Sequence, residues 1–152
     1  MGCASSKSQK SISQGNDMTV LIMGVDGYHR MLAVDYPHGS HEYRILIPNI
    51  KIPHFNDDVD DENNEDYGKL LFMASERIRE YINDLFQVIN NVKIIQSNKI
   101  QAGNDNTVLA DISLVKGTLG DHLLSIGFAE KLIVGKKYVW NKQKLEYIIN
   151  YM

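Results

Sequence analysis

The order of elements in this chain predicts an α+β fold, a five-stranded OB-type Greek-key β-barrel with about three helices packed on it. Three observations carry that expectation. Short apolar and β-branched runs separated by turn residues fill residues 18–47. A long segment with one apolar stripe at three- and four-residue steps follows, then two more strand-like runs and two short helical patterns. At 152 residues with 43% apolar content the chain is long enough for one domain with its own core.

Taken in order, residues 1–16 are mostly Ser, Gln, Lys and Gly with almost nothing to bury, and read as a flexible tether ahead of a folded domain at 17–152. Met18–Val25 is an apolar run ended by the turn signal Asp26-Gly27, Arg30–Tyr36 is a second strand, and Pro37-His38-Gly39-Ser40 turns the chain into a third strand at Glu42–Ile47. Residues 56–66 hold seven acids in eleven positions and read as a solvated loop. A helix is expected from about Gly68 to Val88, burying Leu71, Ala74, Ile78, Ile82 and Leu85. Val92–Gln96 and Thr107–Ser113 are strands about a hairpin turn at 103–106. Thr118 with Asp121 starts a short helix carrying Leu119, Leu123 and Ile126, which Gly127 ends. Tyr138-Val139-Trp140 leads into a last helix with Leu145, Ile148 and Ile149 on one face.

The opening Met1-Gly2-Cys3-Ala4-Ser5-Ser6-Lys7 has the form of an N-myristoylation signal: Gly2 presents the acceptor amine once Met1 is removed, and Ser6 supplies the small hydroxyl residue. Cys3, the chain's single cysteine, stands beside it as a palmitoylation site. The pairing matters because one myristoyl chain holds a bilayer only marginally, whereas two hold it stably. Lys7 and Lys10 would add about 1 kcal/mol each near an anionic surface. No run of eighteen apolar residues or secretory h-region is present, and one cysteine permits no internal disulfide. The expected location is therefore the cytosolic face of a membrane, in a eukaryotic cell or a virus of one.

Charge limits the partners. Removing Lys7 and Lys10 from the net −3 leaves −5 for residues 17–152, unlike a protein that binds nucleic acid by neutralising phosphates. A local basic stretch is still present: Lys131, Lys136 and Lys137, with Lys142 and Lys144 beyond, interleave with Tyr138 and Trp140. That pattern suits stacked bases, an anionic membrane or a merely solvated face. The acidic run lacks the alternation and final Glu of a calcium loop. His38 and His41, with His29 and His54 near in sequence, lack the Cys or acid partners of a typical zinc site. No cofactor is expected.

Val108-Leu109-Ala110-Asp111-Ile112, followed by Gly117 through Gly127-Phe128-Ala129, resembles the strand, turn and helix of the staphylococcal nuclease (thermonuclease-like, SNase/TNase) family. Tyr67-Gly68 is similar to the pair that opens the family's first helix, Val25-Asp26-Gly27 to the start of its Asp-Gly-Asp-Thr motif, and Tyr43-Arg44-Ile45-Leu46 to its Phe-Arg-Leu strand. The resemblance implies calcium-assisted phosphodiester hydrolysis, with carboxylates on the metal and two arginines on the phosphate. Carried over by position, Arg44 matches, and Asp26 matches only weakly as a metal ligand. The second Asp and the Thr fall on Tyr28 and His29, the Asp-x-Pro-Glu on Lys51-Ile52-Pro53-His54, and the second arginine on Thr107. A lysine in place of a metal carboxylate repels the cation. A second register, running Arg30 to Asp35-Tyr36-Pro37 with Asp17 as another acid, restores the spacing but leaves no first strand.

These readings converge on a membrane-anchored, catalytically degenerate thermonuclease-like binding module, a pseudo-nuclease whose partner is a protein or, less favoured by charge, a nucleic acid. Two alternatives stand beside it. One is an active membrane-anchored nuclease needing calcium. The other is a structural virion- or membrane-associated protein.

Overall fold

The computed structural model describes residues 17–59, 65–88, 91–100 and 107–152. The expected tether with Gly2 and Cys3, residues 60–64 of the acidic run and the turn at 103–106 lie outside them.

The described chain is α+β. Strands β1 (Asp17–Val25), β2 (Met31–Asp35) and β3 (Glu42–Leu46) form an antiparallel meander, as the alternation and turn residues predict. Strands β4 (Ile50–Lys51) and β5 (Asp58–Val59) are two residues each. Helix α1 (Glu65–Val88) follows, then β6 (Asn91–Ile100), β7 (Thr107–Ile112), helix α2 (Leu119–Ser125), β8 (Glu130–Lys131), β9 (Val139–Trp140) and helix α3 (Lys142–Ile149).

Strand β1 pairs antiparallel with β6, β6 antiparallel with β7, and β7 parallel with β3. The hydrogen-bonded order β1-β2-β3-β7-β6 closes back on β1. An extra residue in β1, between the pairs Ile22–Ala33 and Gly24–Leu32, sends Met23 outward and bends the strand. The four short strands make two clasps outside that ring: β4 with β8, and β5 with β9.

Inside lie Val20, Met31, Ile45, Ile94, Ala110 and Ile112, all essentially without solvent contact. Helix α1 covers them with Leu71, Ala74, Ile78 and Ile82, as its stripe predicts. At its far end Phe86 is the buried residue and Leu85 only half-buried, because the ideal helical repeat drifts against the curved sheet. Helix α3 packs on α1 through Leu145 and Ile148.

Helix α2 shows how local sequence sets an element. Thr118 caps its start, accepting the Asp121 N–H at 3.2 Å. Gly127 ends it in the left-handed region at φ 81°. Its N–H bonds Leu124 O while the Phe128 N–H bonds Leu123 O, the paired closure of a Schellman turn, with Phe128 and Leu123 both buried.

The acidic run departs from a solvated loop at both ends. Asp58–Val59 is drawn into β5 by its pairing with β9, and Glu65-Asp66 begins α1. A carboxylate such as that of Asp66 in the first turn suits the positive end of the helix dipole.

Candidate functional site

The residues singled out by the resemblance gather around the β1–β2 turn and the outer side of β3. Asp26 is committed to that turn. Its Oδ1 accepts the Tyr28 and Arg30 N–H groups at 2.9 and 3.0 Å, and its Oδ2 accepts Arg30 Nε at 2.9 Å. A carboxylate engaged in this way closes a hairpin, and little of its acceptor capacity is left for a cation. The turn works only because His29 adopts φ 62°, an uncommon conformation that His tolerates better than most side chains. His29 is also buried, and its Nε2 bonds the Ser75 carbonyl on α1 at 2.9 Å. A carbonyl can only accept, so Nε2 carries the proton. Arg79 Nε donates to Val25 O at 3.0 Å, a second strap from α1 to the same hairpin.

Arg44 sits on β3 across from Leu32 on β2 and, in parallel register, from Thr107 on β7. The two positions that the resemblance pairs as phosphate-binding arginines are thus neighbours, but one of them is a buried threonine. Because Met31, Ala33 and Ile45 point inward, Arg30, Leu32, Arg44 and Leu46 share the outer face of the meander.

Beside this face lies a cluster of rings. Tyr28 stacks on His54 with centroids 5.0 Å apart, Phe55 lies 4.1 Å from His54, and Phe72 of α1 is 6.5 Å from Phe55. The Arg30 guanidinium carbon is 5.4 Å from the Tyr28 ring centre. His54 Nδ1 accepts the Asn56 N–H, so its proton is on Nε2, which is buried without a partner among the described residues. Such an unmade bond costs about 1–3 kcal/mol. Burial holds both His29 and His54 below the ordinary histidine pKa; Lys51 reinforces this at His54, whereas Asp57 opposes it. Beneath the cluster a cavity of about 430 Å³ opens between the hairpin, β4 and β7.

The histidines noted in the sequence fall into two separate places, with the His29 and His54 ring centroids 6.4 Å apart. His38 and His41 lie in the β2–β3 turn, beyond the other end of β2 from His29, and His41 Nδ1 is 3.1 Å from Ser40 Oγ. The alternative register gains little, because Asp35 accepts the His41 N–H and the Ser40 hydroxyl to shape that turn. Among the described residues no group of three or more His, Cys, Asp or Glu is placed to hold a metal ion.

The basic stretch is rebuilt by the two clasps. Trp140 is 2% exposed, with its Nε1 donating to Asp57 Oδ2 at 2.9 Å, so it is a core residue and not part of an outer contact face. Tyr138 closes the loop between β8 and β9: its hydroxyl donates to Lys131 O at 2.5 Å and accepts the Ile133 N–H at 2.8 Å. Lys136 Nζ lies 4.8 Å over the Tyr138 ring and 3.8 Å from Glu130. Lys137 pairs with Asp58 at 3.0 Å. At the tip held between these lysines, Leu132, Ile133 and Val134 are 48, 56 and 99% exposed. Sequence reading noticed the cations and passed over the three apolar residues, whose exposure depends on the Tyr138 closure. No helix among the described residues is long and apolar enough to cross a membrane.

Compared with known proteins, the chain matches no family model and none of the curated sequences.

Proposed function

We propose that the chain is a membrane-anchored binding module on a thermonuclease-like, OB-type Greek-key barrel, with the catalytic positions of that architecture turned to structural use. The observation that carries the membrane half is the tip at 132–134. Three consecutive exposed apolar side chains among Lys131, Lys136 and Lys137 match a surface that is apolar below its anionic headgroups. Nucleic acid has no use for such a tip, and the basic stretch offers it no stacking platform: Trp140 is buried and the Tyr138 ring is covered by Lys136. The Gly2-Cys3 signal supports the same reading by placing acyl chains on the same molecule.

The degenerate half rests on Asp26, Tyr28, His29, Lys51 and Thr107. The one carboxylate among them is held by its own hairpin, and the lysine pairs with Asp57 at 2.9 Å. The module's partner would then be a protein held at the membrane.

The test is flotation of the full chain, made without acyl groups, on vesicles with and without phosphatidylserine. Binding should require the anionic lipid, weaken with salt and fall sharply in Val134→Asp. Equal recovery of wild type and Val134→Asp with the vesicles would sink the membrane role of the tip. In cells, Gly2→Ala should release the protein from membranes.

A further inference from the structure

The 430 Å³ cavity lies in the size range, about 300–1,000 Å³, of sites for small organic ligands. Its floor reaches fully buried Met31 and Ile82, half-buried Leu46, Ile50 and Leu109 wall it, and half-exposed Leu132 stands in its lining. Among the polar groups in that lining His29 bonds Ser75 and Lys51 pairs with Asp57, whereas the buried His54 Nε2–H has no partner among the described residues. Across Tyr28 and Leu46 the cavity adjoins an open depression whose third lining residue is Arg30. Apolar depth beside a guanidinium whose Nε donates to Asp26, with the unpartnered His54 N–H in the lining, fits an amphiphile with one hydrocarbon chain and one anionic end.

We propose that this cavity binds a long-chain fatty acid, its hydrocarbon chain against Met31, Ile82 and Leu109 and its carboxylate toward Arg30. The chain displaces water from walls that offer it few hydrogen bonds, and the guanidinium is a planar donor suited to a carboxylate. Leu132 links the cavity to the tip proposed to enter the bilayer, which gives a lipid-phase ligand a way in. That route rests on the membrane reading, whereas binding in solution does not.

The experiment is a fluorescence titration of cis-parinaric acid, below its micelle concentration, into the full chain made without acyl groups. Expected is saturation at one probe per chain, with displacement by myristic acid and much less by myristyl alcohol. Leu109→Trp, which fills the cavity, should weaken the probe about tenfold or more. Leu132→Asp places a charge in the half-exposed part of the lining, where folding is not at stake, and should weaken it as well. Val134→Asp should bind the acid as wild type does even where it no longer floats with vesicles, so the two proposals fail separately. Non-saturable uptake, or affinity unchanged in both Leu109→Trp and Leu132→Asp, overturns the site. Displacement by acid and alcohol alike overturns the carboxylate assignment. Repeating the titration with myristoylated protein identifies the source of the ligand. An unchanged site supports a free acid, whereas a blocked one means that the chain's own acyl group fills the cavity and the free-acid assignment fails.

Discussion

Trp140 Nε1 donates to Asp57 Oδ2 at 2.9 Å, joining residues 83 positions apart in the chain. The same carboxylate accepts the His54 N–H at 2.8 Å and Lys51 Nζ at 2.9 Å. One acid therefore fixes the β5–β9 clasp, the segment bearing His54 and the end of β4. Asp57→Ala leaves an indole N–H buried without an acceptor, and should cost on the order of 2–3 kcal/mol. Asp57→Asn keeps an acceptor and should cost less. Urea unfolding read by the fluorescence of Trp140, the single tryptophan, measures both. Wild-type midpoints in both variants would show that the clasp does not depend on this carboxylate.

Gly120 is fixed by space. Asp111 Oδ1 accepts its N–H at 2.9 Å, and a Cβ there would stand 2.5 Å from Asp111 Oδ2 and 3.2 Å from Ile47 Cγ2. Gly120→Ala should destabilise by about 1–3 kcal/mol, the usual range for overpacking. The double variant with Asp111→Ala should lose less than the two single losses together, because removing the carboxylate removes most of the clash. Strict additivity in thermal melts would place the cost elsewhere.

For Arg44 the expected result concerns activity. The full folded chain, incubated with single- and double-stranded DNA in calcium and then with a chelator, should show no chelator-sensitive cleavage. Calcium-dependent cleavage that Arg44→Ala abolishes would restore the nuclease reading and make the anchor a way of placing a nuclease at a membrane.

What the sequence made legible were features written in one short window. The α1 stripe is one, since Leu71, Ala74, Ile78 and Ile82 repeat at helical spacing. The α2 caps are another, because Thr118 and Gly127 act on backbone groups a few residues away. The two-residue strands could not be read, since Asp58–Val59 has strand character only against Val139–Trp140. Trp140 looked like an exposed stacking residue for the same reason: its neighbours Lys136, Lys137 and Tyr138 are local, while the carboxylate that buries it is not. Nothing in the residue order foretells the parallel β3–β7 pairing that sets Arg44 beside Thr107. Nor does it foretell the positive φ of His29, which Asp26 and Ser75 impose together.

His29 gives the domain a pH dependence of definite sign. Burial lowers its pKa in the folded chain below 6.5, with the Ser75 carbonyl only partly opposing, and His54 is shifted the same way. As pH falls through 6.5 the unfolded chain takes up protons first. The stability contributed by the neutral rings is thus complete above that value and is lost progressively below it, down to the folded pKa. The Tm should stay level near neutral pH and fall as the pH drops below 6.5. Asn at position 29 tolerates the left-handed backbone but cannot reproduce the bond to Ser75. His29→Asn should therefore be less stable at neutral pH by about 1 kcal/mol. Its melting curve should also be flatter with pH, so that the gap to wild type narrows on acidification. Parallel Tm profiles for the two proteins would assign the acid lability to other groups and leave His29 a purely steric role in the hairpin.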